Sequence, residues 1–304
     1  MDSIVTRYFF HNAGSTRSKS PGGKSPRGRS RWLLASLVLA TIPAILMMAT
    51  QLVQADAADD DNTIDITPSS AQEYKDCLLL AERRPDQAVE SAVAWEKQGG
   101  GDAARHCMAL ALINLDRPED GALELERIAQ VLPQEKAAVA ADLFGQAGQA
   151  WIKAGKPQLA LHDQNEGLKL QPKNVDLLID RALTYGNAGM YSDAANDLTT
   201  AAGLAKDRPI IFALRAAAYR HLDNKAGALN DAETALRISP DFPLALLERG
   251  KLRLLKGDKD GARQDWLKIV TKAPNTSAAD EAQRDIEAID LNPDAAPAPQ
   301  TPAP

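Results

Sequence analysis

Two cysteines, Cys77 and Cys107, and four histidines, His11, His106, His162 and His221, are the first residues to weigh for chemistry in this 304-residue chain. A thiolate is a nucleophile or half of a redox couple, and a histidine beside it can activate it. His106 directly precedes Cys107. The sequence reads more simply there as a helix-surface histidine next to a disulfide cysteine. The cysteines have no C-x-x-C spacing and no strand pattern around them, so a redox-active pair is the weaker alternative. The histidines form no H-E-x-x-H pair, and with two cysteines they do not make a zinc site. Gly23-Lys24-Ser25 looks like the end of a phosphate-binding loop, but Ser18 stands where its first glycine belongs and no strand precedes it. There is no G-x-S-x-G. The sequence therefore predicts no enzyme, no metal and no cofactor.

The elements that would position these residues are helical. The chain is 44% hydrophobic but only 5% aromatic, and the abundant alanine suits closely packed helices rather than strands. Net charge is −6, unevenly spread. Residues 1–57 hold seven Lys/Arg and two acids, which leaves 28 basic and 39 acidic residues in the body. An acidic body excludes nucleic acid as the main partner, since phosphates need a positive surface.

Residues 1–31 are rich in Ser, Gly, Pro and basic residues. An uncharged run from Trp32 to Thr50 follows, then Ala55-Asp56-Ala57. A basic flank, an apolar run and an A-x-A site predict a signal peptide over 1–57, cut after Ala57. The competing reading is an uncleaved anchor at 32–50, because 19 apolar residues nearly span a bilayer. The charge asymmetry places the body outside the cytoplasm in both readings. The expected location is the periplasm, with a single inner-membrane anchor as the alternative. Residues 58–70 read as an acidic linker.

Pro172 and Pro240 lie 68 residues apart, twice 34. That frame gives units 141–174, 175–208, 209–242 and 243–276 within a segment 135–276. Position 20 is Ala160, Ala194, Ala228 and Ala262; position 8 is Gly148, Ala182, Ala216 and Gly250. Position 11 is Trp151, Tyr185, Tyr219 and Arg253, and position 4 is Phe144, Leu178, Phe212 and Leu246. Position 15 is Gly155, Gly189, Asp223 and Gly257, and position 32 is Pro172, Lys206, Pro240 and Pro274. Small residues at 8 and 20 let two antiparallel helices meet closely. A glycine at 15 permits the left-handed conformation that ends the first helix, and proline at 32 stops the second; Asp223, Lys206 and Arg253 depart from their columns.

These columns resemble the tetratricopeptide repeat family over residues 141–276. The resemblance implies an all-α, right-handed superhelical solenoid of helical hairpins that binds another protein. Position 7 is Arg181, Arg215 and Arg249, and position 23 is Asp163, Asp197, Asp231 and Asp265. Ion pairs are expected between them, within a repeat (Arg181 with Asp197) or between repeats (Asp163 with Arg181). Ala147 stands opposite Asp163 within its own repeat, which favours the second option. Their expected role is to fix hairpin register rather than to bind a ligand.

Upstream, residues 71–134 read as two divergent hairpins, 71–98 and 102–134, joined by Gly99-Gly100-Gly101. Ala88 and Ala122 are placed at position 20, and Arg83 and Arg117 at position 15. An even cysteine count in an exported protein predicts a Cys77–Cys107 disulfide across successive first helices. Downstream, 277–291 reads as a capping helix begun by Ser277, with Ala278, Ala282, Ile286 and Ile289 on one face. Residues 292–304 form a Pro/Ala-rich tail.

In the family, first-helix positions near 2, 5, 9 and 12 line a concave groove. Here that predicts a lining that includes Asp142, Gln149, Asp176, Ile179, Leu183, Arg220, Leu247 and Lys251, a mixed surface suited to a peptide or helix of a partner. The family's Lys/Asn clamp for a C-terminal carboxylate is absent, since positions 5 and 9 are Gly145 and Gln149, Ile179 and Leu183, Ala213 and Ala217, and Leu247 and Lys251. The sequence thus predicts a non-catalytic envelope adaptor, with membrane contact only through an uncleaved N-terminal segment.

Overall fold

The computed structural model describes residues 70–291. The expected leader, most of the acidic linker and the Pro/Ala-rich tail lie outside the described residues. The described residues form six helical hairpins and a final helix: α1 (Ser70–Arg83) with α2 (Pro85–Trp95), α3 (Gly101–Asn114) with α4 (Pro118–Val131), α5 (Ala137–Lys153) with α6 (Pro157–Leu170), α7 (Val175–Asn187) with α8 (Tyr191–Leu204), α9 (Pro209–His221) with α10 (Lys225–Ile238), α11 (Pro243–Leu255) with α12 (Lys259–Lys272), and α13 (Ser277–Leu291). Each helix packs mainly on its chain neighbours, and first helices also touch the next first helix, as in a solenoid. None of these helices is long and apolar enough to cross a membrane.

Local sequence sets the ends. Proline begins α2, α4, α6, α9 and α11, where its missing N–H costs nothing. Asn174, Asn224 and Asp258 cap α7, α10 and α12 through their side chains. All four residues at position 15 have positive φ, including Asp223 at 57°. Aspartate is one of the few side chains that tolerates this region, which is why the column survives a non-glycine. The capping helix begins at Ser277 as expected, but Thr276 caps it, its Oγ1 accepting from the Ala279 N–H.

Upstream the register differs from the expected one. Asp116, at φ 59°, takes the left-handed turn, and Arg117 precedes α4. Asp116 lies 39 residues before Gly155, five more than the repeat. A short 3₁₀ turn over Gln134–Lys136 sits in the α4–α5 connection where the extra residues fall. Counted from the turn, Gly121 and not Ala122 holds position 20. A Cβ at Gly121 would lie 2.7 Å from the Ala109 carbonyl, so only glycine allows this approach of α3 and α4. In the first hairpin Arg83 simply ends α1, and Arg84 alone separates it from α2.

The apolar interior grades along the solenoid. Near the C-terminal end it holds large side chains such as Leu246, Leu247, Trp266 and Ile269. At the N-terminal end its buried members are Cys77, Ala81, Ala88, Ala92, Cys107 and Ala111. Alanines bury little apolar area, so this end has the weakest hydrophobic drive. It is also the end that carries the disulfide: Cys77 on α1 and Cys107 on α3 are bonded, 30 residues apart in sequence. Replacing both cysteines by alanine is expected to destabilise α1–α3 by about 3 kcal/mol. Hydrogen exchange should speed up over 70–114 and stay unchanged over 209–272, because solenoid stability is local.

Candidate functional site

The residues expected to line the groove lie on the first helices, and most of them are bonded to the neighbouring first helix. Asn174 Nδ2 donates to Asp142 Oδ1 at 3.2 Å. One repeat later, Arg208 Nη1 donates to Asp176 Oδ1 at 2.7 Å in the same register. Gln149 Nε2 donates to Asp180 Oδ2 at 2.7 Å. Burial pushes the Asp180 carboxyl up to about 6, against the lowering effect of the Gln149 amide. The Cys77–Cys107 bond joins α1 to α3 at the same register as this contact. Beside it the Tyr74 hydroxyl lies 2.6 Å from His106 Nδ1, and His106 Nε2 lies 2.8 Å from Gln146 Oε1. His106 is buried, which holds it below its ordinary value as a neutral ring.

Near the C-terminal end this face carries a charged network. Arg220 Nε on α9 donates to Glu248 Oε2 on α11 at 2.7 Å. Lys251 Nζ reaches both Glu248 Oε1 (3.3 Å) and Glu281 Oε1 on α13 (2.5 Å). Glu248 is fully enclosed; burial alone would raise its carboxyl, but Arg220 and Lys251 hold it at about 2. This network ties the capping helix to the last two repeats.

The groove reading therefore needs correction at several positions. Ile179 and Leu247 are core residues, 1% and 0% exposed, and Arg220 is buried in its pair with Glu248. Leu183 is half-buried against the core. The cause is the closeness of successive first helices. A Cβ at Gly145 would lie 2.7 Å from Leu177 Cδ2, so α5 and α7 meet closely at that point. Asp142, Asp176 and Lys251 are engaged with neighbours, and exposed Gln149 is held by Asp180. What stays open lies in the middle, where Gly186 faces empty space, Asn187 is exposed and Ile210 and Ala217 are half-buried. Asp180, Glu248 and Glu281 were not singled out from the sequence. For Asp180 and Glu248 the available signal was an acid at position 6 following a polar residue at position 9 or 12 of the repeat before; Glu281 stands at position 5.

The Arg and Asp columns meet within each of the three repeats that carry both. Arg181 grips both oxygens of Asp197 (2.8 and 2.7 Å), Arg215 those of Asp231 (2.7 and 2.9 Å) and Arg249 those of Asp265 (2.8 and 2.6 Å). Each is a bidentate pair. Arg181 also donates to Asn165 Oδ1 and Arg215 to Thr199 Oγ1, both on the preceding repeat. Tyr185 and Tyr219 lie beside these two guanidiniums. In the last repeat Arg253 replaces the aromatic and donates to Asp265 Oδ2 at 2.9 Å. The expected Asp163–Arg181 pair does not form. Arg181 reaches back to Asn165, two residues further along α6, and the buried Asp163 carboxylate has no hydrogen-bond partner.

Chemistry elsewhere is sparse. Among the described residues no three His, Cys, Asp or Glu side chains converge as a metal site. Cys107 is 0% and Cys77 5% exposed, so an external thiolate has no approach to the disulfide.

Compared with known proteins, the sequence matches no family model and no curated protein. Solved structures do match. One is the C-terminal part of a TPR repeat-containing protein from Cytophaga hutchinsonii, at 15% identity and a TM-score of 0.54, covering 73% of this chain and 96% of that one. Another is a MamA RS-1 double mutant, at 16% identity and a TM-score of 0.50, covering 62% and 97%. The fold is that of a tetratricopeptide solenoid. The Arg215–Asp231 pair joins the two helices of one hairpin, so Arg215→Leu is expected to destabilise by about 3 kcal/mol, because it leaves Asp231 buried without its cation. A double variant with Asp231→Asn should recover part of that loss in urea unfolding.

Proposed function

We propose that this protein is a non-catalytic scaffold that holds a peptide or helix of another protein along the concave, first-helix side of its solenoid. The observation that carries this reading is the open stretch between α7 and α9. Polar bonds close the seam on both sides of it, yet Gly186 meets nothing within 4 Å and Asn187 is exposed. Ile210 and Ala217 add a half-buried apolar floor. A short segment laid there would find apolar contact with polar groups at its edges, as helix-in-groove and extended-peptide sites require.

The proposed setting is the cell envelope. The basic flank, the apolar run and Ala55-Asp56-Ala57 support export, and a buried disulfide suits an oxidising compartment. An uncleaved 32–50 segment would make the same scaffold an anchored subunit of an envelope complex; the intact mass of the protein from its host separates the two settings.

Gly186→Phe tests the site itself. Its ring would project into open space, and replacing a glycine in the last turn of α7 does not weaken the helix. The expected result is unchanged helicity and melting, with at least a tenfold loss of partners recovered by crosslinking with the wild type. Undiminished recovery would place the partner on another surface.

A further inference from the structure

The junction of α4, α5 and α6 repeats the geometry of the other hairpins with one part missing. At three junctions an arginine at position 7 joins the position-23 aspartate of its own repeat; at two of them it also reaches the position-25 residue of the repeat before. At this junction position 7 is Ala147, position 23 is Asp163, and across the five-residue offset position 25 is Glu126. Two carboxyls therefore meet where two of the other junctions place a guanidinium between an acid and a neutral acceptor, and where the third places Arg249 between Asp265 and Glu233. Asp163 is 1% exposed, and the group its carboxyl meets is the Glu126 carboxyl rather than a cation.

We propose that Asp163 and Glu126 share one proton, that this carboxyl pair stands in for the missing arginine, and that the junction of the two N-terminal hairpins with the four regular repeats loosens when the proton leaves. The charged groups around the pair offer no replacement cation. On α5 the Trp151 indole N–H donates to Glu126 Oε1 at 2.7 Å. Lys156, in the α5–α6 turn, bonds Glu119 at 2.6 Å while its ammonium sits over the Trp151 ring. Along α6 the nearest charge is Glu166, itself bonded by Lys169. On α7 Arg181 is committed to Asp197 and Asn165. Burial first, then the Glu126 carboxyl, push Asp163 up to about 8, so the neutral form is the one the fold accommodates.

The sign follows from linkage. The unfolded chain releases the Asp163 proton in the ordinary carboxylate range, whereas the folded chain keeps it to about pH 8. Over that window the folded state binds the extra proton, and stability falls as pH rises. The test is urea unfolding of the wild type and Asp163→Asn between pH 5 and 9, read by Trp151 fluorescence after Trp32, Trp95 and Trp266 are changed to Phe in both backgrounds. The expected result is a wild-type unfolding constant that rises by up to tenfold per pH unit relative to the variant, with the variant the more stable at pH 8. Parallel pH profiles, or a variant less stable than the wild type at pH 8, would overturn the proposal. A carboxyl-carbon NMR titration of Asp163 in the unmodified protein is an independent check. A midpoint well above the ordinary range supports the shared proton, and a midpoint near 4 removes it.

Discussion

Everything in this solenoid depends on how closely two antiparallel helices can approach at one point of contact. That point is set by positions 8 and 20, where Gly148, Ala182, Ala216 and Gly250 face Ala160, Ala194, Ala228 and Ala262. At Gly250 an added Cβ would fall 2.3 Å from Trp266 Nε1, so a methyl group already displaces a buried indole. At Gly121 it would strike a backbone carbonyl. Close contact brings main chains within dispersion range, but it leaves few large side chains in each hairpin. The hairpin cannot bury enough area alone, and stacking on its neighbours becomes the source of stability.

Stacking in turn needs a seam between first helices, and the chain uses different chemistry for the same seam. Between α1 and α3 it is a covalent bond between Cys77 and Cys107. Between α5 and α7 it is the Gln149–Asp180 hydrogen bond. Between α9, α11 and α13 it is the network of Arg220, Glu248, Lys251 and Glu281. The choice tracks the apolar content around each contact. The covalent link falls where the buried neighbours are alanines. The buried charges fall where leucines and Trp266 surround them. A buried charge network adds little net stability, but a wrong register would strand its charges, so it specifies how the cap docks.

The regular repeats were legible because each column reports a single local demand. A left-handed turn selects glycine or aspartate, a helix stop selects proline, and a close approach selects a small residue. Contacts between successive first helices were less legible. Their partners lie 28 to 32 residues apart, with no fixed residue type at either end. Asp142, Asp176 and Lys251 read as groove charges because each has its partner on another hairpin. Ile179 and Leu247 were misread because position 5 faces the groove only when the first helices stand apart, and Gly145 shows how near they stand. The upstream frame slipped for a related reason. Counting 34 on from Ala88 reaches Ala122, whereas the left-handed turn at Asp116 puts Gly121 at position 20.

The same economy bears on where a partner meets this protein. A seam that consumes its own polar side chains leaves little of the first-helix face for recognition. The remaining opening around Gly186 is short, and the side chains near it are small or half-buried. A ligand held there gains more from shape and main-chain contact than from ion pairing. That fits a segment that is already ordered, such as a helix or an extended strand of a folded partner, because a flexible peptide would lose conformational entropy with few strong contacts to offset it.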